Sequence, residues 1–588
     1  MFSLLTALWP HISKRRRIQF AILLILLILA AFSEIISIGA ILPFLAVLTA
    51  PDRIFQLPAA KPFIQLFGFT NANQLLLPLT IGFGIAALLS GAMRLLLLWA
   101  NTGLSYATGA DLSISIFRRT LYQPYAVHVA RNSSEIINGI SSKTNSIISS
   151  LVNTLNLISS GMILVAIFFT LVSVDPVIAL SAFGGFGLLY GLIIRITKKK
   201  LLTNSQRIAK ESTNVIKSLQ EGLGGIRDVL IDGSQAAYCQ IYRNADHPFR
   251  VAQGNNAFIS ASPRFVLEAL GMILIAALAY VLTRQSNGIA KAIPVLGALA
   301  LGAQRLLPVL QQAYMAYSGM KGSQASFQDA LKLLDQPLPE YADQPSPKQL
   351  PFLHNISMKQ IAFRYTSQTP YVLNNLDLTI TKGSSIGFIG VTGSGKSTLL
   401  DIIMGLLQPT EGTLQIDEEL VTTSNNRAWQ AHIAHVPQAI FLADSTIEEN
   451  IAFGIPKGKI DFNRVKKAAE QAEIADIIET WPKKYKTFVG ERGIRLSGGQ
   501  RQRIGIARAL YKQADVIIFD EATSALDNKT EQAVMQSIES LGSERTILII
   551  AHRLTTLKNC TKIVELADGR IKRIGTYAEI VSKDQGNR

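Results

Sequence analysis

The chain opens with long apolar stretches separated by mixed ones, a pattern that persists for a little over half its length. Runs with few charges fall at 18–49, 75–100, 146–174, 176–198, 266–283 and 292–318, each close to or above the ~20 residues a helix needs to cross a hydrocarbon core. The pattern predicts six membrane-spanning helices. Between the second and third runs, and between the fourth and fifth, the chain is long and mixed in polarity. Helical periodicity there, as in Leu112 to Leu121, predicts helices that continue well beyond the bilayer. The connections at Asp175-Pro176 and at Arg284 to Gly288 are short. From Leu334 to Pro351 the composition turns to Pro, Asp, Gln and Ser, which marks a linker. Beyond it, short β-rich runs such as Ser385 to Ile389 and Val516 to Phe519 alternate with helical patterns, as in an α/β domain. The expected layout is a multidomain membrane protein: an all-α six-helix transmembrane domain over 1–333, a linker over 334–351 and an α/β domain over 352–588.

Composition supports this layout. At 588 residues the chain exceeds the roughly 50–250 residues of one compact domain, and it is 48% hydrophobic with 17% charged residues. The net charge of +16 raises the possibility of a nucleic-acid partner. However, the clusters Lys14-Arg15-Arg16-Arg17 and Lys198-Lys199-Lys200 abut apolar runs, as cytoplasmic flanks of membrane helices do. Orientation in a membrane accounts for the charge, and no nucleic acid is expected. Cys239 and Cys560 lie far apart without a Cys-x-x-Cys spacing, which argues against a disulfide framework or a zinc site. The first apolar stretch runs past signal-peptide length and is expected to stay as a membrane helix. Arg53 to Phe69 carries Phe55, Leu57, Phe63, Ile64, Leu66, Phe67 and Phe69 among sparse polar residues. It reads either as an interfacial amphipathic helix or as a collapsed loop packed on its neighbours, since Pro58 and Pro62 interrupt a regular helix.

The α/β domain carries the chemistry. Gly390-Val391-Thr392-Gly393-Ser394-Gly395-Lys396-Ser397 fits the phosphate-binding loop pattern, between an apolar strand and a helical run from Thr398. Glycines let successive backbone N–H groups curl around phosphates, Lys396 supplies a point charge and the Ser397 hydroxyl can bind Mg²⁺. Downstream, Val516-Ile517-Ile518-Phe519-Asp520-Glu521 is an apolar strand ending in two carboxylates, which suits Asp520 to the Mg²⁺ shell and Glu521 to activating a water. A solvated acidic strand end is the bland reading of that hexapeptide, and its coexistence with the phosphate loop argues against it.

Leu496-Ser497-Gly498-Gly499-Gln500, followed by Arg501-Gln502-Arg503, resembles the signature of ATP-binding-cassette (ABC) proteins. That resemblance, which covers Phe352 to about Ile580, implies that Ser497 and Gly499, with Gly498 and Gln500, close on the γ-phosphate of ATP held by the phosphate loop of a second copy, so a homodimer is implied. It also implies Tyr365 as the ring that stacks on adenine, with Tyr371 as the alternative. Gln438, in Val436-Pro437-Gln438, corresponds to the glutamine that senses Mg²⁺ and water. His552, in Ala551-His552-Arg553, corresponds to the histidine at the γ-phosphate. Ser524-Ala525-Leu526-Asp527 corresponds to the loop between the two sites. The implied nucleotide-binding set is Tyr365, Gly390, Thr392, Gly393, Ser394, Gly395, Lys396, Ser397, Thr398, Gln438, Ser497 to Gln500, Asp520, Asp527 and His552. Glu521, His552 and Gln438 are its catalytic members, and Ser397, Gln438 and Asp520 its metal contacts. Val489 to Gly493 resembles the segment that exporters place against the membrane domain.

Six spans fused ahead of one cassette resemble an ABC exporter half-transporter, and this implies coupling helices near Tyr122 to Arg131 and near Leu223 to Gly233. Near or within the apolar runs stand Glu34, Arg94, Arg264, Glu268 and Arg305. Ionisable groups at bilayer depth face a partner or a wet cavity. Internal pairing, Glu34 with Arg94 and Arg264 with Glu268, is one reading. The other is a substrate site, since guanidinium forks suit phosphate oxygens. The segments around Glu34, Pro263-Arg264 and Arg305-Leu306-Leu307-Pro308 resemble the PglK-type flippase family. This implies that Arg94, Arg264 and Arg305 attract the head group of a lipid-linked oligosaccharide or glycolipid. A broad-specificity lipid-A or drug exporter is the alternative, and six apolar spans exclude a non-transport ABC ATPase. The chain is expected in a bacterial cytoplasmic membrane, with its cassette in the cytoplasm.

Overall fold

The computed structural model describes residues 1–49, 55, 65, 68–174, 176–283, 306–345, 347–523, 525–539, 545–551 and 553–580. Most of Arg53 to Phe69, the connections at Asp175 and at Arg284 to Gly288, and the sites Arg305, Ser524 and His552 lie outside these residues. The chain divides into two compact units: Met1–Gln123 with Arg131–Leu338, and Pro124–Ala130 with Pro339–Arg588.

The first unit is helical. Helices Lys14–Thr49, Leu76–Leu121, Thr144–Val174, Pro176–Gly224 and Pro263–Thr283 cover the first five apolar runs, and the described part of the sixth is helical over 306–322. Among the described residues, three helical stretches are long and apolar enough to cross a membrane: Lys14–Ser37, Leu76–Leu121 and Ser133–Thr170. The 46-residue helix Leu76–Leu121 is about 69 Å long at 1.5 Å per residue, more than twice the ~30 Å hydrocarbon core. Its inward face carries Ser90, Asn101, Ser105, Thr108 and Gly109, while Leu88, Leu95 and Trp99 point outward and are at least 70% exposed. Small and polar residues inward with large apolar ones outward is the arrangement that suits lipid as the surrounding solvent. Gly109 shows how close the packing is, because a Cβ there would meet Ile148 Cγ1 at 2.2 Å.

Two short helices, Tyr125–Ala130 and Ile226–Ile231, fall where coupling helices are expected, and the first belongs to the same compact unit as the cassette. At the end of the membrane unit, helix Gln324–Leu334 buries Phe327, Ala330, Leu331 and Leu334. Lys143, itself buried, anchors it by an ion pair to Asp329 at 2.8 Å.

The second unit contains strands β1 (Asn355–Phe363), β2 (Leu373–Thr381), β3 (Ser385–Ile389), β4 (Glu411–Ile416), β5 (Glu419–Leu420), β6 (Ile433–Val436), β7 (Val516–Asp520), β8 (Thr546–Ile550), β9 (Lys562–Ala567) and β10 (Arg570–Gly575). They form a four-stranded sheet in the order β2-β1-β4-β5 and a six-stranded sheet in the order β10-β9-β3-β8-β7-β6. In the larger sheet β3, β6, β7, β8 and β9 run parallel, and β10 pairs antiparallel with β9. Strands buried on both faces explain the continuous apolar runs in the sequence. Ile517, Phe519, Ile547 and Ile549 enter one core cluster, and the alternating Val516, Ile518, Leu548 and Ile550 enter the other. The end of the stretch read as linker is already part of this domain, since Leu350 is buried in the second cluster and its carbonyl accepts from His432 Nε2 at 2.6 Å. The parallel strands end along one edge, and the loops after β3, β6 and β7 carry Gly390, Gln438 and Glu521, the edge where such sheets bind ligands.

Candidate functional site

The loop after β3 wraps around its own lysine. Lys396 Nζ donates to Gly390 O at 2.8 Å and Val391 O at 3.0 Å, which holds the ammonium in the concavity of the turn. Gly390 and Gly395 have φ of +149° and +97°. A Cβ on Gly390 would lie 2.3 Å from Leu566 O, and one on Gly395 would lie 2.7 Å from Leu373 Cδ2. Gly393 faces open space, with nothing within 4 Å of an added Cβ. The cradle is thus closed on the protein side and open on the other, as a phosphate-binding turn requires. The helix after the loop starts at Lys396, two residues earlier than the sequence suggests. Gly395 ends the turn in a left-handed conformation, which leaves Lys396 as the first helical residue.

Tyr365, half-exposed, packs edge-on against Phe363, and its hydroxyl lies 3.3 Å from Thr398 Oγ1 at the start of the same helix. The expected adenine ring platform therefore stands at the mouth of the phosphate loop. Tyr371 is engaged differently, by a hydrogen bond to Glu411 and by Arg364 stacked 5.0 Å above its ring.

At the end of β7, Glu521 adopts φ of +51°, an uncommon conformation for a non-glycine residue that clusters at functional sites. Its backbone N–H donates to Ile550 O at 3.0 Å, and its Oε2 accepts from Gln438 Nε2 at 2.6 Å. Two sites 83 residues apart in the chain are thereby brought into contact. Burial, and secondarily the charge of Glu521, push the Asp520 carboxyl above the ordinary range, while Lys396 opposes the shift.

The signature motif forms a helix start. Ser497 caps helix Gly498–Lys512: its Oγ accepts from Gln500 N at 3.2 Å, and Gln500 Oε1 accepts from Ser497 N at 2.9 Å. This capping box takes up the Gln500 N–H, and the start of the helix at Gly498 and Gly499 is where the helix dipole favours an anion. Gln502 Oε1 accepts from Ala525 N at 2.9 Å, tying this helix to the loop that ends in Asp527. Asp527 caps its own helix through Thr530 N at 3.0 Å and Thr530 Oγ1 at 2.7 Å, and these bonds hold its carboxyl below the usual range. Among the described residues, no hydrogen bond links Ser497 to Gln500 with the phosphate loop.

Two carboxylates that sequence reasoning did not single out stand beside these groups. Asp401, in the helix after the phosphate loop, is pushed up to about 6 by burial and then by Asp520. Glu531, 7% exposed, accepts from Thr523 and Thr556 hydroxyls and from Arg553. Neither has a motif to announce it; the partners of Glu531 are brought to it only by the fold.

In the membrane unit, Glu34 is 1% exposed and receives Arg94 Nε at 3.1 Å and Ser90 Oγ at 2.9 Å. A second contact joins Arg94 Nη2 to Glu34 Oε1. Arg264 Nε lies 2.7 Å from Glu268 Oε1, one helical turn on. The structure therefore holds the pairing reading for both arginines, while about half of each arginine side chain stays exposed.

Residues 373–524 match the family model described as ABC transporter, and residues 19–290 match the one described as ABC transporter transmembrane region. The ATP-dependent lipid A-core flippase of Chromohalobacter salexigens is 33% identical over 398 residues, covering 67% of this chain and 68% of that protein. The ABC transporter ATM1 of Toxoplasma gondii is 41% identical over 215 residues, 37% of this chain, and the match spans only 19% of that longer protein. A solved structure of a bacterial Atm1-family ABC exporter with ATP bound superposes with a TM-score of 0.74 at 25% identity, covering 93% of this chain and 96% of that one.

Proposed function

The chain belongs to the ABC transporters as an exporter-type half-transporter, an integral membrane protein with an ATP-hydrolysing cassette, and from that membership we propose that two copies flip a phosphorylated glycolipid across the bacterial cytoplasmic membrane. The observation that carries the glycolipid reading is the pair of half-exposed guanidinium groups in the membrane unit, Arg94 and Arg264, each held by an acid. Such forks take phosphate oxygens in two parallel bonds. A lipid-linked oligosaccharide is one such cargo, and the local resemblance around Pro263-Arg264 and Leu306-Pro308 favours it. A lipid A-type cargo is the second, favoured by the flippase relative at 33% identity.

In the cassette, on this proposal, Lys396 and the N–H groups of Gly393 to Ser397 bind the β- and γ-phosphates of ATP, and Tyr365 stacks on the base. Ser397, Gln438 and Asp520 form an all-oxygen donor set that suits Mg²⁺. Among the described residues no three His, Cys, Asp or Glu converge on a metal position, so the ion would be held largely by the nucleotide's phosphates, as Mg²⁺ commonly is. When bound it neutralises charge that develops on the transferred phosphoryl oxygens. Glu521 accepts the proton of the attacking water, and Gln438 fixes the carboxylate that does so. Ser497 and Gly499 serve the nucleotide of the second copy, so hydrolysis requires the dimer. Tyr125–Ala130, which belongs to the cassette's compact unit, carries the closure of the cassettes to the membrane helices, and the outward-facing and inward-facing states are then populated according to nucleotide and cargo.

The test uses the full-length chain in proteoliposomes. ATPase stimulation and lipid flipping are measured with a polyprenyl-pyrophosphate oligosaccharide, with lipid A bearing core sugars and with a hydrophobic cation. Stimulation and flipping by either glycolipid supports the reading. Response to the cation alone would sink it.

A further inference from the structure

Three cavities in the membrane unit converge on one stretch of the helix at 306–322. One, of about 280 Å³, runs from Arg94 past Asn156 to Pro308 and Gln312. The next, of about 340 Å³, lies between Asn153 and Asn156 on one side and Pro308, Gln311 and Gln312 on the other. The third, of about 100 Å³, joins Pro308 and Gln311 to Arg264 and Glu268. Adjacent cavities share lining residues and Pro308 borders all three, so they lie side by side as a tract along this helix. An acid-held guanidinium stands at each end and side-chain amides stand between.

Amides within a membrane unit carry a desolvation cost unless they are bonded or wetted. Asn156 is fixed by Asn101, whose Nδ2 donates to its Oδ1 at 2.9 Å. Gln311 is poorly matched: its Nε2 points to Met315 Sδ at 3.8 Å, a weak acceptor. Gln312 is exposed to the cavity. These side chains have hydrogen-bonding capacity that the fold itself does not use well.

We propose that this tract is the head-group site, and that Asn153, Asn156, Gln311 and Gln312 select a sugar-bearing head over a bare phosphate of the same charge. The inference rests on the glycolipid reading and adds to it the element that discriminates. An amide presents two donors and an acceptor, as vicinal sugar hydroxyls present both. A phosphate only accepts, and so would use half of each amide. The arginines answer the phosphate and the amides answer the sugar.

The experiment titrates ATPase stimulation of the full-length chain in proteoliposomes with two matched pairs of lipids. One pair is a polyprenyl-pyrophosphate oligosaccharide and polyprenyl pyrophosphate capped as its methyl ester, so that both carry a doubly esterified pyrophosphate; the other is lipid A with core sugars and cardiolipin, which carries two phosphates and no sugar. The wild type should respond at lower concentration to the sugar-bearing member of at least one pair, and the responding pair identifies the lipid source. Gln311→Ala/Gln312→Ala should raise the half-stimulating concentration of that member about tenfold, as expected for two lost hydrogen bonds of ordinary strength. The sugar-free lipid should shift less than about twofold. Gln312→Ala alone, at an exposed position, should give about a threefold shift and carries the test if the double variant does not assemble. Equal shifts for both members of the pair, or no shift for either, would overturn the selective role. A wild type that responds equally to both members also overturns it, while leaving the glycolipid reading intact. A wild type that responds to none of the four lipids removes that reading, and the amide role with it.

Discussion

Glu531 holds together the two segments that flank the proposed hydrolytic site, and its removal is a direct measure of that clamp. Its Oε1 accepts from Thr523 Oγ1 and Thr556 Oγ1, each at 2.8 Å, and its Oε2 accepts from Arg553 Nη1 at 3.3 Å. Thr523 follows Glu521 by two residues, and Arg553 is the neighbour of His552. Hydrogen bonds to a charged group contribute roughly 1.5–3 kcal/mol each. The ion pair adds under about 1 kcal/mol, because the Arg553 side chain is 49% exposed. Glu531→Ala should therefore cost about 3–5 kcal/mol, after some relaxation around the cavity it leaves. In a domain of this size each kcal/mol lowers the melting temperature by about 2–4 °C, so a drop of about 6–20 °C is expected for the cassette transition of the full-length protein. Glu531→Gln keeps an acceptor oxygen and the shape, and should cost about 1–2 kcal/mol. Turnover should fall with the alanine variant while the KM for ATP changes little, since the clamp aligns the reacting groups without touching the phosphate loop. An alanine variant that melts within about 2 °C of the parent and retains full turnover would refute the reasoning.

Glu521→Gln should bind ATP normally and lose most of its turnover, measured by nucleotide binding alongside phosphate release; near-normal hydrolysis would remove Glu521 from its role. Gly395→Ala places a Cβ 2.7 Å from Leu373 Cδ2 at φ of +97°, so ATP binding should weaken by tenfold or more, read by titration with a fluorescent nucleotide. Asp401 has its folded pKa raised to about 6, so the folded state prefers the protonated form. The stability this contributes is complete below the unfolded pKa near 4 and is lost as pH rises through about 6. Asp401→Asn should accordingly raise the melting temperature at pH 8 and leave it unchanged near pH 4; a gain of equal size at both would be inconsistent with the shift. Arg94→Ala strands the buried Glu34 carboxylate and should destabilise the membrane unit by up to about 3 kcal/mol, and Glu34→Gln/Arg94→Ala should restore most of the loss in a thermal-shift assay.

Much of the cassette was legible because its signals are local. Ser385 to Ile389 and Val516 to Phe519 read as buried strands from a handful of apolar residues, and they form β3 and β7 with at most one residue added. The glycines of the phosphate loop are needed where a Cβ would meet Leu566 O or Leu373 Cδ2, so backbone geometry is written directly into residue type. What escaped notice lies between segments. The partners of Glu531 come from both sides of it, eight residues before and up to 25 after, and an acidic residue on a helix surface is ordinarily solvated. The same holds at the end of the stretch 334–351: its composition is Pro-rich, and only the fold brings Leu350 and its carbonyl to the core around His432.

The membrane half shows the opposite balance. Its helices are plain from apolar length, but the meaning of its charges depends on partners that only packing supplies. Arg94 and Glu34 are 60 residues apart and share two contacts and a serine. A guanidinium already held by a carboxylate offers an incoming phosphate an exchange of one anion for another, with a net gain smaller than a bare arginine would give. On the proposed reading, charge alone thus retains anionic lipids as a class and discriminates weakly among them. The groups with unspent hydrogen-bonding capacity along the same tract are the neutral amides, Gln311 above all, whose donor rests on a thioether. Replacing an uncharged amide leaves no buried charge behind, so a loss of selectivity in Gln311→Ala/Gln312→Ala reports on cargo recognition more cleanly than any arginine substitution.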